Sequence, residues 1–182
     1  MLIRVVPVGN PPEKVLETVC VQLENSLNSK CRLLRKITLP TETYNHFRKQ
    51  HNAETIINFV TNLPEVKFID KEIPTLMITD EDIYYKGMNF VFGLEDPTKS
   101  SCIVSLARLK PEFYDESPNE RLSVERLVKE SLHEIGHFKG LFHCPNPKCV
   151  MSFSPSVRDI DNKKKEFCDN CQVRMMTKGI EF

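Results

Sequence analysis

The spacing of hydrophobic residues predicts alternating strands and helices in the first half of the chain. A β-branched run at residues 2–8 is typical of a buried strand. Apolar residues at intervals of three and four then predict a helix over residues 10–28, capped by its first residue. Residues 32–39 predict a second strand, and residues 53–63 predict a second helix. This alternation indicates a sheet whose strands run mostly parallel.

Three short strands and one long helix are predicted in the second half. Residues 75–79, 89–94 and 101–106 are strand-like, and the short link between the last two favours an antiparallel pair. A capping-box pattern at residues 117–120 begins a helix with one apolar face. Gly136 inside this helix is attributed to close packing by a neighbouring backbone. The predicted fold class is α/β, with a mixed and mostly parallel sheet.

Length and charge narrow the possible functions. The 182 residues suit one domain, and 25 basic residues balance 25 acidic ones. A balanced chain has no overall field that would attract nucleic acid or an anionic membrane. No apolar run approaches the roughly 18 residues that cross a bilayer, and the first residues lack the features of a secretory signal. We expect a cytoplasmic protein with no nucleic-acid or membrane partner, in which the cysteines stay reduced. A monomer is favoured, but the sequence does not determine the oligomeric state.

One stretch carries closely spaced metal-ligand residues. It contains His133, Glu134, His137, Gly140 and His143, in the pattern HExxHxxGxxH. On a helix the first two histidines share a face, while the glycine lets the chain leave the helix and bring back the third. Three histidine nitrogens and an open fourth position are typical of a catalytic zinc, and the glutamate can reach a water on that ion. Three unrelated histidines would not be expected to show this joint spacing.

Four of the seven cysteines have the spacing of a second metal site. Cys144 and Cys149 follow the last histidine, and Cys168 and Cys171 form a CxxC pair further along the chain. Four thiolates are the ligand set of a closed, structural zinc. The CxxC pair alone also suits redox chemistry, but the two further cysteines favour zinc. The sequence therefore predicts two zinc ions per chain, one catalytic and one structural.

Other polar and reactive residues are expected to have no chemical role. Cys20, Cys31 and Cys102 are interpreted as small buried hydrophobic residues, and residues 80–82 as a solvated acidic turn. The lysine run at residues 163–165 leaves two interpretations open. It is either a solvated face or a set of charges that offsets the four thiolates.

The histidine, glycine and cysteine pattern, followed by Met151, resembles the metzincin metallopeptidases and, within them, the archaemetzincin family. The resemblance is dense over residues 117–171 and looser upstream, at residues 90–93 and 103–108. It implies a twisted sheet with an antiparallel edge strand at residues 89–94, a long active-site helix and a small C-terminal subdomain stapled by zinc. It also implies that the methionine forms an apolar floor beneath the catalytic ligands.

We expect a single metallopeptidase domain over residues 1–182. Its N-terminal part, residues 1–139, would hold the sheet and the active-site helix. Its C-terminal part, residues 140–182, would hold the methionine turn and the four-cysteine site.

The predicted function is a zinc metallopeptidase that acts on peptides or proteins. His133, His137 and His143 would hold the catalytic zinc, and Glu134 would act as the general base toward the zinc-bound water. Three tyrosines are candidates for stabilising the oxyanion, without support from their spacing: Tyr84, Tyr85 and Tyr114. The alternative is a zinc-dependent binding module, in which the cysteines and residues 163–165 contact nucleic acid or protein. Balanced charge and the intact glutamate argue against it.

Overall fold

Eight strands and six α-helices build the part of the chain that the computed structural model describes, residues 1–67 and 72–178. The strands are β1 (Leu2–Val8), β2 (Lys30–Leu33), β3 (Tyr44–Asn45), β4 (Gln50–Asn52), β5 (Thr75–Thr79), β6 (Ile83–Tyr84), β7 (Gly93–Asp96) and β8 (Ser101–Ser105). The helices are α1 (Glu13–Leu27), α2 (Ala53–Asn62), α3 (Pro64–Lys67), α4 (Glu120–Phe138), α5 (Val157–Asn162) and α6 (Asp169–Lys178). Short 3₁₀ turns lie at Thr41–Thr43, Pro97–Lys99, Ala107–Leu109 and Pro111–Tyr114.

A five-stranded sheet in the order β2-β1-β5-β8-β7 forms the centre of the fold. The first four strands are parallel to their neighbours, and β7 runs antiparallel to β8, with Gly93 opposite Val104. β7 is thus an edge strand among the described residues. The predicted mixed, mostly parallel α/β fold is confirmed.

Helices cover both faces of this sheet, which is why its inner strands are apolar at nearly every position. On one face, Ile3 and Val5 of β1 pack in a cluster with α1 and α4. On the other face, Val6 and Val8 pack against α2. The first cluster also contains apolar residues from the end of the chain, among them Met151 and Phe167, so one core spans residues on both sides of position 140.

A second sheet, β3-β4-β6, lies in a region where the sequence pattern predicts little. β3 pairs antiparallel with β4, and β4 pairs parallel with β6. The turn between β3 and β4 is fixed by Asn45, whose Oδ1 accepts hydrogen bonds from the amides of Phe47 and Arg48, each at 3.1 Å. Strands of two or three residues carry too few alternating positions to be recognised by pattern.

Several predicted boundaries differ from the observed ones. α1 begins at Glu13, and Asn10 does not cap it; instead the Asn10 amide donates to Asp80 Oδ1 at 2.7 Å. α4 begins at Glu120 and is capped by Asn119, whose Oδ1 accepts from the amide of Leu122 at 3.0 Å.

Two predicted strands differ as well. The second strand ends at Leu33, although one isolated bridge joins Val8 to Ile37. The strand predicted at residues 89–94 begins only at Gly93. Within residues 1–67 and 72–178, no helix combines the length and the apolar character needed to cross a bilayer.

Candidate metal centres and cleft

The end of α4 determines the path of the chain between His137 and His143. The helix stops at Phe138, and Gly140 has a φ of 75°, in the left-handed region. The amide of Gly140 donates to His137 O at 2.7 Å, and the amide of Leu141 donates to Gly136 O at 3.0 Å. These two bonds form a Schellman motif, the helix ending that glycine favours. The chain therefore turns back at the predicted glycine, and His143 returns to the helix.

The three histidines come together, and two of them present the same ring nitrogen. The Nε2 atoms of His133 and His137 lie 3.0 Å apart, and the ring of His143 lies 5.2 and 5.0 Å from theirs, centroid to centroid. His133 Nδ1 is 2.9 Å from Val150 O, and His137 Nδ1 is 2.8 Å from Leu141 O. Because a carbonyl oxygen only accepts, each Nδ1 carries the proton, and each Nε2 presents a lone pair.

This arrangement fits a bound cation. Two lone pairs that face each other at 3.0 Å repel unless something positive lies near both. One ligand atom from each of the three histidines lies within 4.8 Å of the others. Burial lowers the pKa of His133 to about 2, and burial also lowers the pKa of His137 and His143. The rings are therefore neutral, the form that binds zinc.

Glu134 lies in a tight enclosure beside the histidines. Its side chain is 5% exposed, and it lies against Gly93 of the edge strand. A Cβ on Gly93 would stand 2.5 Å from Glu134 Oε1, so only a glycine leaves room for the carboxylate. Burial, followed by the nearby carboxylates of Glu130 and Glu95, raises the Glu134 pKa, while Lys163 lowers it. Gly93 makes room for the Glu134 side chain, and the sequence analysis missed this role because nothing in the sequence around Gly93 indicates that it lies against α4.

Met151 fills the space directly under the helix. It is fully buried, and a Cβ on Gly136 would overlap its Sδ and lie 3.0 Å from Cε1 of Phe167. The expectation that a neighbouring backbone explains Gly136 is therefore wrong, because the close neighbours are two side chains. An apolar floor of this kind is what the resemblance implies for Met151.

The four cysteines at the predicted spacing also converge. Cys144 Sγ is 3.6 Å from Cys168 Sγ, and Cys149 Sγ is 3.8 Å from Cys171 Sγ. A zinc with four Zn–S bonds of about 2.3 Å has sulfur–sulfur edges of about 3.8 Å, so the set fits that ion. These separations are too long for disulfides, and all four thiols are free. A hydrogen bond from the Cys171 amide is the main cause that lowers the pKa of Cys168 to about 7, whereas burial raises the pKa of Cys149 and Cys171.

A cleft of about 620 Å³ opens in front of the histidines. Its walls come from residues 87–95, from α4 and from residues 153–155. The charged side chains among its lining residues are Glu95, Glu130 and Glu134, with no lysine or arginine. Burial, together with Asp96, raises the pKa of Glu95 to about 7. None of the three tyrosines considered for the oxyanion is among the lining residues.

The lysine run does not form one solvated face: Lys163 is buried, Lys165 is partly buried and Lys164 is exposed. Lys163 is fully buried, and its Nζ lies 2.7 Å from Oε1 of Glu130, one helical turn before His133. Lys165 Nζ donates to Gln22 Oε1 at 2.9 Å. Removing one partner of a buried ion pair leaves an isolated charge, so this pair ties the last third of the chain to α4. The sequence analysis missed it because 33 residues separate the partners.

The acidic turn at residues 80–82 also has structural partners. Asp82 accepts two hydrogen bonds from Arg108, at 2.7 and 2.8 Å, and one from Gln50 at 3.0 Å. The expectation of a solvated turn is therefore wrong for Asp82. Of the other three cysteines, Cys102 is 1% exposed, whereas Cys20 and Cys31 are half-buried against the core.

The chain is similar to a known peptidase family over most of its length. Residues 13–177 match the model of peptidase family M54. An archaemetzincin from Pyrococcus furiosus is 40% identical over 176 residues, covering 93% of this chain and 90% of that protein. An archaemetzincin from Methanocaldococcus jannaschii is 38% identical over 180 residues, covering 99% and 96%.

Solved structures agree with this similarity. A zinc-dependent peptidase from Methanocorpusculum labreanum superposes with a TM-score of 0.85 at 29% identity, covering 95% of this chain and 99% of that chain. An archaemetzincin from Archaeoglobus fulgidus, complexed with malonate, gives a TM-score of 0.80 at 34% identity, covering 96% and 99%.

Proposed function

Because the chain belongs to peptidase family M54, the archaemetzincins, and is therefore a zinc metallopeptidase, we propose that Glu134 is the general base of its peptide-bond hydrolysis. His133, His137 and His143 would hold the catalytic zinc through their ring nitrogens. A bound zinc supplies Lewis-acid chemistry, which acidifies water and polarises a carbonyl. Glu134 would take a proton from the attacking water and deliver it to the leaving amine.

One observation carries this proposal: two histidines direct unprotonated Nε2 atoms at one point, and Glu134 lies beside them in the same cleft. The carboxylate lies against Gly93, at a position where a Cβ would clash with it. Burial of the Glu134 carboxylate raises its pKa, which brings this group closer to the range useful to a base near neutral pH. We also propose a second, structural zinc on the four cysteines, giving two ions per chain.

The register of the edge strand indicates how a peptide substrate would dock. Phe92 O accepts a hydrogen bond from the Ser105 amide at 2.8 Å, so this opposed pair is of the bonded type. Opposed pairs alternate in an antiparallel ladder, so Gly93 and Glu95 direct their main-chain groups away from β8, toward the open edge. A peptide added as a further strand would bond to those two residues. This docking segment shares Gly93 with the strand predicted at 89–94 and extends past it to Glu95.

The test replaces Glu134 by glutamine, which keeps the size of the side chain. Cleavage of a peptide library should fall by about 10²–10⁴-fold, the usual scale of acid–base catalysis, while zinc content and fold are unchanged. Glu17→Gln, an exposed acid on α1, is the matched control and should cleave normally. Undiminished cleavage by Glu134→Gln would rule out its role as base. A structure of the inactive variant with a bound peptide should show main-chain bonds at Gly93 and Glu95; a peptide bound elsewhere contradicts the docking.

A further inference from the structure

The upper rim of the cleft, residues 88–92, is held at its first two residues by side chains. Val91 and Phe92, further along the rim, are held by main-chain bonds to Ile83 and Ser105. Arg48 Nη2 donates to Met88 O and to Asn89 O, each at 2.8 Å. Gln50 Nε2 donates to Asn89 O at 3.0 Å. These carbonyls are therefore occupied by donors that come from the turn between β3 and β4 and from β4 itself.

The donors belong to one continuous network. Gln50 is 4% exposed, its Oε1 accepts from Arg48 Nε at 3.1 Å, and its Nε2 also donates to Asp82 Oδ2 at 3.0 Å. Asp82 in turn forms the two-bond pair with Arg108. The Arg108 guanidinium lies 4.3 Å from the ring centroid of Phe90, a rim residue. We call Arg48, Gln50, Asp82 and Arg108 the rim clamp.

The position of Arg48 is itself fixed. The side chain of Asn45 accepts from the Arg48 amide at 3.1 Å, which closes the turn that carries the arginine. The guanidinium lies 4.3 Å from the ring centroid of Tyr84 in β6, a cation–π distance. The small sheet β3-β4-β6 thus presents a preset donor to the rim carbonyls.

We propose that Arg48 is a positioning residue for substrate binding, and that the small sheet serves to keep the rim in its docking conformation. The inference rests on the proposed docking along the adjoining edge strand. The rim continues directly into Gly93, where the substrate backbone would bind. A rim that is ordered before the substrate arrives loses less conformational entropy on binding, so the contribution of Arg48 lies in affinity rather than in the chemical step.

The test compares Arg48→Met, which keeps an apolar stem and loses the donors, with Arg35→Met, an exposed arginine away from the cleft with the same change in charge. KM should rise about tenfold in Arg48→Met, a change on the scale of one charge-assisted hydrogen bond. kcat and zinc content should stay within about twofold of wild type. Arg48→Lys retains the cation on a single donor nitrogen and loses the planar fork of the guanidinium, so its KM should lie between those of Arg48→Met and wild type.

Amide hydrogen exchange supplies a second measurement that needs no turnover. The Val91 amide donates to Ile83 O at 3.1 Å, and the Met88 amide donates to Tyr85 O at 3.0 Å. Both should exchange at least tenfold faster in Arg48→Met. The β8 amides other than Ser105, whose partner Phe92 belongs to the rim, should not change. Unchanged exchange at the Val91 and Met88 amides would overturn the clamp even if no peptide is cleaved. Faster exchange with an unchanged KM, or a loss confined to kcat, would overturn the positioning role.

Discussion

Gly136 allows a sharp test of the packing beneath the active-site helix. A Cβ at this position would overlap Sδ of Met151 and crowd the ring edge of Phe167. Met151 is fully buried and Phe167 is 7% exposed, so any shift of either side chain must be accommodated by its neighbours in the core. Gly136→Ala therefore adds one methyl group to a part of the core that is already filled.

Two opposing effects set the size of the change. Alanine is better than glycine inside a helix by about 1 kcal/mol. Inserting a methyl group into a packed core costs about 1–3 kcal/mol, and overlap with a buried sulfur places this site near the upper value. The net loss in the free energy of unfolding should be about 2 kcal/mol. For a chain of this size, that corresponds to a melting temperature about 4–8 °C lower.

The Met151→Ala background tests whether overlap with the Met151 side chain causes the stability loss of Gly136→Ala. Met151→Ala alone should cost about 2–5 kcal/mol, because it leaves a cavity. In that background the overlap with Sδ is gone, and only the 3.0 Å approach to Phe167 Cε1 remains. Gly136→Ala should then change stability by less than about 1 kcal/mol, because helix propensity offsets the residual crowding. Urea unfolding of the four proteins at one fixed zinc concentration measures the difference, since bound metal adds to apparent stability. A loss of similar size in both backgrounds would refute the packing explanation.

Two further predictions concern the metals. Metal analysis of the purified protein should find up to two zinc ions per chain. The cysteine-bound ion should be more resistant to chelators because its site is closed. Absence of zinc on the cysteines under reducing conditions would contradict the structural site. Cys168→Ala should lower the melting temperature and also weaken zinc binding by the three histidines. Competition with a chelator measures the zinc affinity of the histidine site. Equal zinc affinity in the variant and wild type would show that the two sites are independent.

Features with a local cause could be predicted from the sequence. β1 and α2 match the prediction within about a residue, because β1 is a run rich in β-branched residues and α2 has apolar residues at helical spacing. The histidines converge because residues i and i+4 share a helix face. The predicted start of α4 differs from the observed one by a few residues, because Ser117 and Asn119 can both act as an N-cap. The local sequence does not show which of the two caps the helix.

Features with a distant cause could not be predicted. Residues 89–92 have the apolar character of a strand, yet Arg48, some 40 residues earlier, donates to the carbonyls of Met88 and Asn89. Gly93 matters because Glu134 lies against it, and Lys163 is buried because Glu130 neutralises it. In each case the local sequence fits an ordinary alternative, such as a regular strand, a turn glycine or a solvated lysine. Only the folded chain supplies the partner.

The distance between Cys168 and the histidines does not make the two sites independent, because one short segment contributes to both. Cys149 belongs to the cysteine set, and the next residue, Val150, supplies the carbonyl that fixes the His133 ring. Met151 then accepts a hydrogen bond from the Cys144 amide at 2.9 Å, next to His143. A structural zinc in a small module is worth about 10–16 kcal/mol, so losing one thiolate removes enough constraint to let this segment move. His133 would then lose the carbonyl that orients its Nε2, and partners of this kind typically contribute 10–100-fold to metal affinity.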